Sequence, residues 1–378
     1  MNETRVDNGV AEVSGLALGG RRLVFLDRAR IYTCGITPYD VTHLGHAATF
    51  VWVDALARTL RLFGVEPETC RNVTDVDDVL DEAAHRAGEP YDAFAAAGQY
   101  YFDRDMAALN VRDVQHEPRA RRYVDQVIRL AGGLLAGGAA YVRDGSVYFR
   151  GEPAIRGSGL GRDAALRLSV EYGGRPDDPA KDDPLDVAVW QAGEPGHPAW
   201  DSPWGRGRPG WHAECAAMAL SVFGAAVDVH AGGADLRFPH HAYQAAMVEA
   251  FTGVRPYARA WLHAGTVRVG GAKMAKSAGN LVLVRDLVDG HPAAAVRLMI
   301  LDRPWGKDWD YSPALLDQAG ARLEELYRAA GRTRPAAAAV AETSRLLAAD
   351  LNVSAAVDVA IEEGGAAARS VIAVLGLN

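Results

Sequence analysis

His43-Leu44-Gly45-His46 closes a short loop after an apolar run, and Lys273-Met274-Ala275-Lys276-Ser277 follows a domain's length later. A His-x-Gly-His tetrad arises often by chance, and the lysine pentad is rarer. The two together, in this order, decide the fold. Outward from the tetrad, Ala29-Arg30-Ile31-Tyr32-Thr33-Cys34 reads as a buried strand that Gly35 and Pro38 break. From His43 to Gly64, residues Ala47, Phe50, Val51, Asp54, Ala55, Leu56 and Leu60 fall at helical spacing. Glu68 to Val73 reads as a second strand, and Thr74-Asp75-Val76-Asp77-Asp78 as an acidic turn. Strand, helix, strand predicts a parallel, nucleotide-binding sheet. The tetrad histidines then stand at a helix N-terminus, where anions are favoured.

The N-terminal segment to about residue 22 reads as a loose arm with one short strand. Asp92 to Leu109 and Ala120 to Gly137 read as helices, and the alternation from Tyr141 to Arg150 as a small hairpin. Gly157 to Pro209 is rich in Gly, Pro and Asp and predicts long loops around one helix. Helices follow at Gly210–Phe223 and His240–Thr252, with strands at Ala226–His230 and Arg259–Ala264. Beyond Tyr311 the Ala, Leu, Glu and Arg content predicts a helical bundle.

A chain of 378 residues is long enough for two or three domains, and 23% charged residues suits a globular protein. No stretch reaches the roughly 18 apolar residues of a membrane span, and no secretory signal is expected. Three cysteines, an odd number, argue against a disulfide framework and for a reducing, cytoplasmic setting. A net charge of -8 argues against a nucleic-acid partner, since phosphate backbones draw basic surfaces. Oligomeric state is not written in any of these features.

The two signatures resemble those of class I aminoacyl-tRNA synthetases. Cys34-Gly35-Ile36-Thr37-Pro38-Tyr39-Asp40, Asn72 to Asp78, Gly210-Trp211-His212-Ala213-Glu214-Cys215 and Gly232 to His241 are similar to the cysteinyl-tRNA synthetase group. Ile36-Thr37-Pro38-Tyr39-Asp40, Lys181 to Asp186 and Gly205 to His212 look like one branch of it, the mycothiol cysteine ligases. The likeness spans about residues 30 to 310. It implies an α/β, Rossmann-type class I catalytic domain with an inserted α+β segment and a C-terminal helical bundle. The expected division is 1–115 for the first catalytic half with its arm, 116–200 for the insertion and 201–270 for the second half. Residues 271–315 would form the lysine loop and a stem-contact-like segment, and 316–378 the bundle. The implied activity is ATP-dependent ligation. Cysteine becomes cysteinyl-adenylate, and the acyl group passes to the amine of glucosaminyl-inositol with no tRNA.

Residue by residue, the resemblance implies zinc on Cys34, Cys215 and His240. Thiolates and an imidazole without a carboxylate favour that ion; the residues alone also allow Cys34 and Cys215 as small buried hydrophobes. Three ligands leave a fourth position for the substrate thiolate, which would set cysteine apart from serine. The tRNA synthetases carry a glutamate ligand where this chain has Gln244. His43, Gly45 and His46 are expected at ATP, with Thr37, Gly232, Gly233, Asp235, Lys273 and Lys276. His43, His46, Lys273 and Lys276 are expected to be catalytic, and magnesium to accompany ATP. Cys34, Thr37, Thr74 and Trp211 are expected around the bound cysteine, although Trp211 reads equally as core. Cys70 reads as structural, and His241 as support or packing. Asp75, Asp77 and Asp78 form either a structural turn or a lure for an ammonium group. Ala231, Ala242 and Ala275 depart from the family pattern. They keep open a paralogue acting on another amine or amino acid. The same motifs also admit a truncated cysteinyl-tRNA synthetase, or a binding module without catalysis.

Overall fold

In the computed structural model, residues 16–39, 42–194, 197–275, 278–333 and 337–378 are described. Four parallel strands form the central sheet: β1 (Arg28–Ile36), β2 (Glu66–Val73), β3 (Val227–Gly233) and β4 (Ala258–Ala264), in the order β4-β3-β1-β2. The central strand β1 is buried on both faces, as its Ile31-Tyr32-Thr33-Cys34 run requires. Tyr32 lies opposite Cys70 on one neighbour and His230 on the other.

Gly35 does not end β1. The strand runs on to Ile36, with a register irregularity between Thr33 and Ile36. A Cβ at Gly35 would fall 1.7 Å from the Asn72 carbonyl oxygen, so glycine lets the two strands touch there. The irregularity sits at Cys34, and a bulge of this kind re-aims a side chain at a sheet end.

The helix predicted from His43 is Leu44–Leu62, with His43 as its N-cap. It is buried almost all round because the sheet covers one side and C-terminal helices the other. Its buried Asp54 is paired with Arg58 at 2.7 Å and with Arg297. Arg297 also donates to the carbonyls of Leu109 at 2.9 Å and Leu375 at 2.5 Å. The nucleotide-side helix is thereby tied to the last helix, Gly365–Leu375. The helices after Tyr311 are Pro313–Ala330, Ala337–Ala348, Val353–Glu363 and Gly365–Leu375, as expected of a bundle.

Two expectations are corrected. The acidic turn ends in a helix, Asp78–Ala87: Asp77 caps it, accepting from the N–H groups of Val79 at 2.8 Å and Leu80 at 3.2 Å. Short polar side chains favour turns and N-caps alike, so Asp77 does not by itself reveal the helix. The stretch from Gly157 to Pro209 also holds more order than loops around one helix. It contributes helix Arg162–Glu171 and strands Val187–Ala192 and Gly207–Pro209, which extend the predicted hairpin into a four-stranded antiparallel sheet. A Cβ at Gly207 would meet the Gln191 carbonyl at 2.3 Å, so this glycine permits the pairing rather than marking a loop. Smaller differences lie at both ends. Leu16–Leu18 and Arg21–Leu23 make a two-stranded hairpin where one strand was expected, and residues 1–15 lie outside the described ones. The helix expected from His240 begins at Ala242, after extended backbone at Phe238 (φ -144°, ψ 134°). Among the described residues no helix is long and apolar enough to cross a membrane.

Candidate active site

The C-terminal ends of β1, β3 and β4 open into a cleft of about 960 Å³. Ligands favour this position in parallel α/β sheets. Cys34, Thr37, His43, Gly45, His46, Gly233, Asp235 and Lys273 all line it. The first signature is stitched by backbone to the segment just beyond the second. Leu44 N–H donates to the Val282 carbonyl at 2.8 Å, and Val284 N–H to the Thr42 carbonyl at 3.1 Å. Gly45 is packed between them: a Cβ there would lie 2.9 Å from the His43 ring and 3.2 Å from the Met274 methyl. His43 and His46 stack with ring centroids 3.8 Å apart, and His43 Nδ1 accepts from Gly45 N–H at 3.1 Å. Both rings thus stand at the first turn of the helix, on the wall of the cleft.

Lys273 donates to Asp235 Oδ2 at 2.8 Å and lies 5.6 Å from the Tyr172 ring centroid. Burial pulls the Lys273 ammonium down, but the Asp235 charge and hydrogen bond outweigh it and raise its pKa. Tyr172 ends helix Arg162–Glu171 of the insertion, so the insertion reaches the lysine segment. Lys276 lies outside the described residues.

Behind Cys34 is a buried knot of sulfur and imidazole. The ligand atoms of Cys34, Cys215 and His240 lie within 4.8 Å of one another, and those of Cys34, His230 and His241 form a second such group. Each cysteine has polar company: Gln244 Nε2 donates to Cys34 Sγ at 3.2 Å, and Asn72 Nδ2 to Cys215 Sγ at 3.3 Å. Cys34 is buried, which pushes its thiol up. The hydrogen bond from Cys215, the His241 and His240 rings and a hydrogen bond from His230 reverse this, holding it well below the usual thiol range. Burial and the neighbouring Cys34 push Cys215 up in turn. His212 meets His240 ring to ring, Nδ1 to Nδ1 at 2.8 Å, and His241 Nδ1 lies 2.9 Å from His263 Nε2. Burial and the adjacent imidazoles keep His212, His241 and His263 neutral, with His241 down to about 4 and His263 to about 2. Two sulfurs and an imidazole with no carboxylate in the group are a donor set that fits zinc. The surrounding hydrogen bonds orient the ligands as outer partners of metal sites do.

Not every expected residue lines the cleft. Thr74, Trp211, Cys215 and His240 sit around Cys34 and Thr37 instead. Thr74 Oγ1 is 2.8 Å from Thr37 Oγ1, and half-buried Trp211 stacks on His240 with centroids 4.0 Å apart. Gly232 faces the histidines: a Cβ there would lie 2.7 Å from the His241 ring, whereas Gly233 touches Asp235. Cys70 is buried in β2, as expected of a structural residue. The acidic residues all have partners: Asp75 with Arg119 at 3.1 Å, Asp77 in its cap, and Asp78 with Arg208. Sequence reasoning missed Asn72, His212, His230 and His263. His212 adjoins Trp211 and His230 precedes Ala231-Gly232-Gly233, so proximity to the motifs was the available signal.

Residues 24–321 match the family model of the tRNA synthetases class I (C) catalytic domain. The chain is 47% identical to the L-cysteine:1D-myo-inositol 2-amino-2-deoxy-alpha-D-glucopyranoside ligase of Mycobacterium marinum, covering 87% of this chain and 82% of the relative. It is 45% identical to the enzyme of that name from Acidothermus cellulolyticus, covering 84% and 80%. Among solved structures, Mycobacterium tuberculosis methionyl-tRNA synthetase in complex with methionyl-adenylate is similar in fold. The TM-score is 0.64 at 18% identity, covering 93% of this chain and 82% of that one.

Proposed function

Because this chain belongs to the family of the L-cysteine:1D-myo-inositol 2-amino-2-deoxy-alpha-D-glucopyranoside ligases, within the class I (C) tRNA synthetase catalytic fold, we propose that it activates cysteine with ATP and joins it to the amine of glucosaminyl-inositol. The observation that carries this reading is the single cleft that places Cys34 at one end and His43, His46, Asp235 and Lys273 along its walls. One aminoacyl-adenylate needs a side-chain pocket and a nucleotide wall joined in this way.

In the first half-reaction a cysteine carboxylate oxygen attacks the α-phosphorus of ATP, and pyrophosphate leaves. His43 and His46 donate to phosphate oxygens as negative charge gathers on them. Lys273 supplies a fixed positive charge for the departing pyrophosphate, and magnesium accompanies the nucleotide. Lys276 shares the Lys273 role in this reading. Asp235 accepts from the ribose hydroxyls, and Gly233 leaves room for the sugar beside it. In the second half-reaction the neutral amine nitrogen attacks the acyl carbon. The amide forms, AMP leaves, and the amine's extra proton goes to solvent.

Cys34, Cys215 and His240 would hold zinc. When bound, that ion offers a soft open position that prefers a thiolate to a hydroxyl. Gln244 is neutral and stays a hydrogen-bond donor to Cys34 rather than a charged ligand. Thr37 and Thr74 present hydroxyls beside that pocket, and Trp211 braces His240. The proposed setting is cytoplasmic, where substrate cysteine stays reduced.

Mass analysis of the product formed from ATP, cysteine and glucosaminyl-inositol tests the proposal. A new cysteinyl amide with equimolar AMP supports it. AMP formation without the amide moves the acceptor elsewhere.

A further inference from the structure

We propose that a second depression beside the cleft binds the ring of the acceptor that does not carry the reacting amine. This rests on the ligase reading above and extends it to a site for the acceptor. The depression has a volume of about 410 Å³ and is lined by Asp81, Glu82, His85, Arg86 and His197. Every one of these side chains is polar. Arg86 also lines the main cleft, so the two hollows share a rim.

Helix Asp78–Ala87 forms the wall between them. Val79, Ala83, Arg86 and Ala87 follow one helical face and look into the cleft. Asp81, Glu82 and His85 occupy the adjoining face and look into the second hollow. One helix therefore offers an apolar strip beside the adenylate and a polar strip beyond it.

The polar strip suits a polyol. Vicinal hydroxyls both donate and accept, and are held best where carboxylates and cations alternate. Asp81 and Glu82 supply acceptors, and Arg86 supplies a planar fork of donors. His85 supplies a further ring. Asp81 is 8% exposed and is fixed by His197 Nδ1 at 3.0 Å, so one acceptor is held in place before any ligand arrives. An acceptor of two joined six-membered rings has the reach to cross the Arg86 rim. Its amine would face the acyl carbon in the cleft while its inositol hydroxyls meet the second hollow. The carboxylates, guanidinium and imidazoles around that hollow suit hydroxyls.

The test compares two acceptors, glucosaminyl-inositol and glucosamine alone, on wild type and on Glu82→Ala and His85→Ala. Both residues are exposed, so neither change opens the core. Cysteine-dependent ATP–pyrophosphate exchange at the wild-type rate shows that each variant is folded and activates cysteine. The inference expects KM for glucosaminyl-inositol to rise about tenfold, the usual scale for losing a hydrogen bond to a buried hydroxyl, with kcat little changed. KM for glucosamine stays as in wild type, because that acceptor never enters the second hollow. Equal KM shifts for both acceptors, or none for either, would overturn the subsite while leaving the ligase reading intact. If wild type makes an amide with neither acceptor, the ligase reading fails first and the subsite with it.

Discussion

Lys273 and Asp235 face each other across the mouth of the cleft, with Nζ 2.8 Å from Oδ2. The lysine of one signature is thus held by the residue assigned to the ribose. ATP entering between them would exchange this ion pair for two separate contacts, ribose with Asp235 and phosphate with Lys273. The pair is half-exposed, so breaking it costs little.

Lys273→Ala should therefore slow cysteine-dependent pyrophosphate exchange about a hundredfold, the scale of losing one preorganised charge contact in a transition state. KM for cysteine should hardly move. Initial-rate exchange assays over a range of ATP and cysteine concentrations read both quantities.

Cys215→Ala should strip the site of metal. The wild-type chain is expected to retain about one zinc, and the variant much less, because one of the two thiolates is gone; zinc retained in full would move the ion to Cys34, His230 and His241. Elemental analysis after dialysis against a mild chelator measures it. The same variant should lose its preference for cysteine over serine in exchange.

Gly35→Ala tests the close approach of β1 to β2. The added methyl would collide with the Asn72 carbonyl, and backbone cannot step aside as a side chain can. A loss of about 3 kcal/mol is expected, in line with overpacked buried sites. The urea midpoint reports it.

His263 gives the protein a pH dependence whose sign is fixed. Burial, with the neighbouring imidazoles of His241 and His230, holds its folded pKa at about 2, far below the ordinary value. The unfolded chain therefore binds the proton first. Stability from this group is complete above the unfolded pKa of about 6.5 and falls as pH drops below it. Between pH 7 and pH 5 the loss is about 2 kcal/mol. His263→Gln should flatten that part of the profile, as read from urea midpoints at the two pH values.

Much of this was legible in the chain, for physical reasons that differ by element. The β1 strand and its following helix lie in short segments whose apolar spacing is locally decisive, whereas Cys34, Cys215 and His240 were singled out only through the family resemblance of the motifs around them. Helix Asp78–Ala87 was not legible because its N-cap, Asp77, looks the same in a turn. Strand Gly207–Pro209 was hidden because its pairing is made by distant Trp190 and Gln191. The histidine contacts escaped for the same reason: His212 meets His240, and His241 meets His263, only after strands far apart in sequence pair. Local pattern reports on local structure, and this site is built from contacts between distant segments.

The most direct test of the central claim is AMP release from preformed cysteinyl-adenylate, followed with glucosaminyl-inositol and, separately, with cysteine-accepting tRNA. The account predicts that the amino-sugar accelerates AMP release and leaves a cysteinyl amide, while the tRNA has no effect. Acceleration by the tRNA alone, with cysteine esterified to it, would contradict the account.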